Sequence, residues 1–322
     1  MTDLVVELTG CGGPEKLVVS ELGGLAPAKG EIVVRQEAIG MNFVDIYHRI
    51  GTYSLPAFPA VIGVEAAGRV EAVGEGVDGF SVGDRVAYAA TIGAYASARR
   101  LPAGRAIRLP DAISSSTATA SLLKGMTAYM LLHKTYPVAA GTTVLVHAAA
   151  GGLGQILVRW AKHLGATVIG TVGSLEKAEL ARTAGVDHLV IGRDADIVSE
   201  VKARTDGRGV DIAYDGIGGD MLARTLQCVR PFGTAASLGR ASGPIPPIEI
   251  DMLRPGKFLC QPSIMAYSVD VANYRDAAEA AIAAMKHGIV STVAAEFPLA
   301  QVSEAHAVLE SGRLAGSPLL IP

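Results

Sequence analysis

A chain of 322 residues with 50% hydrophobic side chains carries more apolar sequence than one small core needs, which predicts about two domains. Charged residues make up 18% and the formal net charge is −3, which excludes a disordered polyelectrolyte and a protein held to nucleic acid or anionic lipid by its bulk charge. The expectation is work on a small molecule. Cys11, Cys228 and Cys260 lie far apart without a C-x-x-C pair, which argues against a zinc module, an iron–sulfur site and a disulfide framework and fits a reducing compartment.

The opening Met1-Thr2-Asp3-Leu4-Val5-Val6-Glu7 has acids where a signal peptide needs a basic region and an apolar run, so a cytoplasmic setting is expected. Short β-type runs follow at 4–8, 31–38, 68–73 and 85–88, separated by punctuation such as Gly12-Gly13-Pro14 and Gly74-Glu75-Gly76. They predict an irregular β-rich domain. Residues 42–49 interrupt that rhythm with a short helical pattern, and the loop Gly51-Thr52-Tyr53-Ser54-Leu55-Pro56 after it is suited to line a cleft.

Beyond about residue 121 the character changes to apolar strands alternating with helical patterns. Strands are expected at 143–147, 167–171, 188–191, 210–215, 234–237 and 258–261, with helices at 153–164, 175–184, 197–205 and 222–229 as crossovers. That alternation predicts an α/β fold with a doubly wound parallel sheet. The uncharged stretch 137–158 is long enough to span a bilayer, but its glycines fit a buried strand, tight turn and buried helix better. After Pro262 a helix at 273–287, a second helix at about 300–311 and a strand at 319–321 do not continue the alternation. They are assigned back to the N-terminal domain, giving 1–124 with 265–322 as one domain and 125–264 as the other.

The run Val144-Leu145-Val146-His147-Ala148-Ala149-Ala150-Gly151-Gly152-Leu153-Gly154 places A-x-G-x-x-G between a strand and a helix. Ala149 and Gly151 let the turn close and the backbone approach a pyrophosphate, Gly154 lets the helix pack on the strand, and the helix start offers free N–H groups to the anion. At the end of the next strand, Gly170-Thr171-Val172-Gly173-Ser174, a fold preferring NAD usually carries an acid for the adenosine ribose; none is present. Ser174 and Lys177 stand there instead, a hydroxyl and a cation suited to a 2′-phosphate, which favours NADPH; Lys177 as an ordinary exposed helix lysine is the alternative, and Glu176 beside it tempers the reading.

With its β domain, nucleotide-binding insert and C-terminal return, the chain resembles a medium-chain dehydrogenase/reductase, and more closely the zinc-independent, ζ-crystallin-like NADPH:quinone oxidoreductases, essentially end to end. The resemblance is carried by Gly12-Gly13-Pro14-Glu15, Ala38-Ile39-Gly40-Met41-Asn42-Phe43-Val44-Asp45, Gly63-Val64-Glu65-Ala66-Ala67-Gly68, Gly83-Asp84-Arg85-Val86, Leu123-Lys124-Gly125-Met126-Thr127-Ala128-Tyr129, His147 through Gly154, Gly170-Thr171-Val172-Gly173, and the closing Leu309-Glu310-Ser311 and Leu319-Leu320-Ile321-Pro322. It implies a GroES-like β-rich catalytic domain around a Rossmann NADPH-binding domain. The zinc alcohol dehydrogenases of this superfamily place a cysteine near Asn42 and a histidine before the glutamate of a G-H-E motif; Asn42 and Val64 stand here, and the four-cysteine lobe between about 86 and 109 is missing. No metal is expected.

The resemblance implies that the nicotinamide end lies near Asn42, Phe43, Asp45, Tyr47 and Thr127, with Met130 at its edge. It puts Gly152 and Leu153 on the pyrophosphate, Gly173, Ser174 and Lys177 on the adenosine phosphate, and Leu238, Gly239, Arg240, Pro262 and Ser263 on the rest of the dinucleotide. A family tyrosine at the 2′-phosphate is matched by Gly192 and a C-terminal arginine by Gly312; Arg193 and Arg313, one place later in each case, are the candidate substitutes.

Quinones need little activation because hydride addition yields an aromatic hydroquinone, so stacking and exclusion of water can replace metal polarisation. Tyr47 and Tyr53 are candidates to hydrogen-bond the developing oxyanion or pass a proton, with Asn42 orienting the site; packing residues that wall the cleft are the alternative. His147 and Asp215 read as strand-end structural residues, Asp84 as a turn acid, the cysteines as packing, and His133, His163, His287 and His306 as surface or satisfied residues. Rival functions are an NADPH-dependent alkenal or enone double-bond reductase, and a non-catalytic crystallin-like or RNA-binding NADPH protein. Against nucleic acid stand a pI near 6.2 and no basic run longer than Arg99-Arg100. A homodimer is expected by resemblance, through the apolar edge 258–265.

Overall fold

The computed structural model describes residues 2–322. The chain divides into two compact units, one running up to Leu123 and again from Asp270 to Pro322, the other from Lys124 to Val269.

The first unit is built on strands. Its elements up to the break are β1 (Leu4–Leu8), β2 (Leu17–Glu21), β3 (Glu31–Gly40), the short helix α1 (Phe43–Arg49), β4 (Ala66–Val73), β5 (Arg85–Tyr88), β6 (Ala98–Pro102) and β7 (Ile107–Arg108). Helix α2 (Ser115–Tyr129) carries the chain into the second unit and ends in a π-helical turn, Met130–Thr135. There follow β8 (Thr143–Val146), α3 (Gly152–His163), β9 (Thr167–Val172), α4 (Ala178–Ala184), β10 (His188–Ile191), α5 (Ile197–Ala203), β11 (Val210–Asp215), α6 (Met221–Cys228), β12 (Val229–Ser237), β13 (Phe258–Cys260) and α7 (Ile264–Tyr267). The return to the first unit supplies α8 (Val271–Lys286), β14 (Val293–Pro298), α9 (Val302–Glu310) and β15 (Ser317–Ile321).

In the first unit β3 is the organising strand: its buried residues Ile32, Val34 and Ile39 enter the core, and it pairs antiparallel with β4, β6 and β15. The sheet order is β14-β15-β3-β4-β5-β7, with β6 on β3, and β1 and β2 form a separate hairpin. Leu319 pairs with Gly40 and Leu320 with Ile39, so the last strand is stitched to the residues that precede α1. Leu299, Val302, Ala305 and Leu309 put one face of α9 and its entry turn into the same core as Ile46 of α1.

The second unit is a six-stranded sheet in the order β10-β9-β8-β11-β12-β13, every pairing parallel. β8 is the first strand in sequence yet sits centrally, so the order reverses between β8 and β11, the point where such sheets bind ligands at their carboxyl ends. The strands are apolar throughout because parallel strands are covered on both faces; Val144, Leu145 and Val146 are completely buried. The predicted doubly wound fold is borne out. Helix α2, whose small residues give little amphipathic contrast, and the π-helical turn after it carry no clear sequence signal, and neither do β2, β6 and β14. Helix α4 starts at Ala178 and not at 175, because 173–177 form a turn.

Candidate functional site

In the second unit the loop from β8 to α3 is held by main chain. Ala149 N–H donates to Thr171 O at 2.9 Å and Gly151 N–H to Ala148 O at 2.8 Å, with Ala148 at φ +50°. Gly154 sits on this turn so closely that a Cβ there would lie 2.2 Å from Ala148 O. The helix and loop approach one another only because position 154 has no side chain. Gly152, Leu153 and Gly154 are the first turn of α3, whose N–H groups lack intrahelical acceptors, an arrangement that accepts an anion.

Because every strand of this sheet is parallel, the carboxyl ends of β8, β9, β10, β11, β12 and β13 share one edge. Ala149 to Gly154, Gly173 with Ser174, Arg193, Leu238 to Arg240, and Pro262 with Ser263 all follow directly on those ends. Arg193 extends over Gly173, whose Cβ would lie 3.4 Å from its Nε. Lys177, the residue before α4, has its ammonium pKa drawn down by partial burial and by the charge of Arg193, so the two cations stand close together. The Glu176 carboxyl is held below its usual range mainly by a hydrogen bond from Ser174. Gly192, where the family's tyrosine would stand, has φ +112° and open space around it. These residues fit a dinucleotide phosphate group: a glycine cradle, unpaired first-turn amides and two cations where an NAD-preferring site has an acid.

Other expected residues take structural positions. His147 has Nδ1 3.0 Å from Thr171 Oγ1 and Nε2 2.9 Å from Thr225 Oγ1, and Thr225 donates to Asp215 Oδ2 at 2.8 Å. Burial holds this imidazole below its usual pKa, so His147 and Asp215 are framework. Ser263 accepts the Ala266 N–H at 3.3 Å and so caps α7. Thr127 is half-buried on α2, while Met130 is buried in the π-helical turn.

In the first unit the site is built on α1. Asn42 is its N-cap residue; its N–H donates to Asp45 Oδ2 at 2.8 Å and its Nδ2 to Glu65 Oε1 at 2.8 Å. Glu65 is completely buried and its other oxygen accepts Leu123 N–H at 2.9 Å. Asp45, expected at the nicotinamide, is also completely buried, with its carboxylate turned inward on Asn42 N–H and the Tyr95 hydroxyl; it acts as a cap, because a short helix start must satisfy its orphan donors. Tyr47 and Tyr53 meet edge to face at 5.4 Å and Phe43 lies 6.3 Å from Tyr47. Tyr53 is 41% exposed, and its N–H donates to Tyr47 O at 3.0 Å. Arg313 is exposed in this unit and donates from Nε to Ser311 Oγ at 3.1 Å. Among the described residues no three His, Cys, Asp or Glu side chains gather as a metal site, and Val64 is buried.

Two readings are corrected. His306, read as a surface or satisfied histidine, is completely buried with Nε2 2.9 Å from Tyr95 hydroxyl and Nδ1 without a partner among the described residues. Cys11, read as packing, is exposed. Tyr95 and Glu65 were missed as site residues; Glu65 lies in a quoted motif, but nothing local marks Tyr95.

A family model described as the alcohol dehydrogenase GroES-like domain matches residues 28–134, and one described as zinc-binding dehydrogenase matches residues 152–287. The chain is 43% identical over 317 residues to a quinone oxidoreductase of Salmonella typhimurium, covering 97% of each. It is 41% identical over 321 residues to a 2-haloacrylate reductase of a Burkholderia species, covering 97% of this chain and 96% of that one. Among solved structures, Escherichia coli quinone oxidoreductase complexed with NADPH superposes with a TM-score of 0.94 at 39% identity, covering 99% of this chain and 100% of that one.

Proposed function

Because this chain belongs to the quinone oxidoreductase family of medium-chain dehydrogenases and reductases, we propose that it reduces quinones with NADPH, without metal or flavin. The observation that carries the cofactor choice is the pair Lys177 and Arg193 against Gly173, two cations at the end of β9 where a ribose-binding acid is absent. When bound, NADPH supplies the hydride. The first-turn amides of α3 hold the pyrophosphate, Lys177 with Arg193 hold the 2′-phosphate, and Leu238, Gly239 and Arg240 border the rest of the dinucleotide. In the first unit Asn42, fixed on Glu65, orients the acceptor, and the Tyr47 and Tyr53 hydroxyls donate to the oxygen on which charge develops. At positions 42 and 64, where the zinc dehydrogenases hold their metal, an amide and a buried valine offer neither thiolate nor imidazole.

A second reading, reduction of an electron-poor double bond, is favoured by the 2-haloacrylate reductase relative. NADPH oxidation by the chelator-treated protein, measured with para-benzoquinone and with a simple enal, separates the two: faster turnover with quinone supports the first, turnover with the enal alone replaces it with the second, and none with either removes both. The proposal includes a cytoplasmic homodimer joined through β13, an edge strand whose Phe258 is 57% exposed. Light scattering that gives a monomer mass would overturn the dimer. Among the described residues no helix is long and apolar enough to cross a membrane.

A further inference from the structure

Behind α1 lies a line of buried polar side chains that the proposed chemistry does not use. His306 on α9 has Nε2 2.9 Å from the Tyr95 hydroxyl, and Tyr95 donates to Asp45 Oδ2 at 3.1 Å. The same oxygen accepts Asn42 N–H at 2.8 Å, and Asn42 passes its side-chain amide to Glu65. Residues 306, 95 and 45 are all fully buried, so water does not compete for these bonds.

The direction of the line follows from what each group can give. Asp45 Oδ2 already receives an N–H and, as a carboxylate oxygen, only accepts, so the Tyr95 hydrogen is committed to it. The Tyr95 oxygen is then left to accept, which places the imidazole hydrogen of His306 on Nε2. Nδ1 is buried with no partner among the described residues, and a bare ring acceptor is tolerated more readily than an orphaned N–H. Burial, with the charge of Arg49 behind it, holds the His306 pKa at about 3, so the ring is neutral and does not turn into a second donor. Arg49 is itself only 1% exposed and is paired with Glu310 of α9.

We infer that Tyr95 and His306 are positioning residues for the reaction proposed above: the relay from His306 Nε2–H through the Tyr95 hydroxyl locks the Asp45 carboxylate in its capping pose, and Asp45 in turn fixes the first turn of α1, from which Asn42 and Tyr47 act. The inference rests on that functional reading for its kinetic arm and on spectroscopy for its other arm.

The test uses the full chain and four variants: Tyr95→Phe, His306→Leu, His306→Gln and, as a control, Tyr88→Phe. Tyr88 is equally buried in the same unit but donates to Gln36, which is not a member of the line. Tyr95→Phe and His306→Leu are expected to lower kcat with para-benzoquinone about tenfold while leaving KM for NADPH within about twofold, because the loss is of positioning rather than of cofactor binding. His306→Gln, whose amide donates from the place of Nε2, recovers most of kcat. Tyr88→Phe lowers Tm without lowering kcat. Nitrogen-15 shifts of His306 show Nε2 protonated and Nδ1 bare, and the Asn42 amide resonance moves in Tyr95→Phe but not in Tyr88→Phe. A hydrogen on Nδ1, an unmoved Asn42 amide, a wild-type kcat in Tyr95→Phe, or an equal kcat loss in Tyr88→Phe overturns the relay. Failure of the wild-type protein to oxidise NADPH with either acceptor overturns the functional reading instead, and the relay then stands or falls on the two resonances.

Discussion

The proposed anion site of the second unit is made of main chain: a turn at 148–151, the first amides of α3 and a glycine at 154 that admits no other side chain, all within eight consecutive residues. The α1 site of the first unit is made of side chains drawn from positions 42, 45, 65, 95 and 306, on elements far apart in sequence. The first kind of site admits no side chain at Gly154, where a Cβ would meet backbone. The second is adjustable, because each hydrogen bond can be removed alone, and its failure is graded. The proposed phosphate-binding and reacting sites are thus expected to answer differently to mutation.

Gly154→Val tests the rigid side most severely. Its Cβ alone would lie 2.2 Å from a carbonyl oxygen and 2.9 Å from Ala149 Cα, both backbone atoms that cannot swing away. Destabilisation of about 3 kcal/mol or more, with loss of NADPH binding by fluorescence titration, is expected. On the adjustable side, Glu310→Ala leaves the buried Arg49 guanidinium without its ion-pair partner; since Glu310 is itself 34% exposed, a cost of about 2–3 kcal/mol in urea unfolding is expected.

The second unit also has a side-chain clamp, at the amino ends of its central strands β8 and β11, the end opposite the glycine turn. Asp211 accepts Thr143 N–H at 2.7 Å and pairs with Arg208 and Arg230. Burial raises its pKa, but the bonds from Arg208, Thr143 N–H and Arg230 outweigh that and hold it at about 2. A carboxyl depressed on folding stabilises above its unfolded pKa near 3.8, and that contribution, about 2 kcal/mol, is lost as pH falls from near 4 towards 2. Asp211→Asn should remove this acid limb from the stability profile while leaving NADPH affinity unchanged. Smallest of all, Lys177→Ala and Arg193→Ala should each reduce the NADPH over NADH preference about tenfold, the worth of one charge-assisted hydrogen bond; an unchanged preference in both would remove the cations from the phosphate site.

The same contrast explains what the sequence discloses. Five of the six strands of the parallel sheet lie within a residue or so of their expected bounds, with 188–191 and 210–215 matched at both ends, because each is a short apolar run bounded by turn formers; β12 starts five residues before the expected 234, since Arg230 and Pro231 break its apolar run. The glycine turn was legible because its spacing is local. Helix α2 was not, since Ser115 to Ala120 are small residues without a clear apolar face. The role of His306 was invisible for a different reason: its partner is 211 residues away, and no periodicity of α9 distinguishes a buried imidazole from an exposed one. Asp45 is expected at the nicotinamide by resemblance, and no sequence signal marks that its carboxylate also caps α1 and accepts from Tyr95.

The most direct measurement is the initial rate of NADPH and of NADH oxidation by the chelator-treated protein with para-benzoquinone as acceptor. Quinone-dependent turnover with kcat/KM for NADPH at least about tenfold above that for NADH is the result predicted from Lys177 and Arg193. No quinone-dependent oxidation of either nucleotide, or equal use of both, would contradict it.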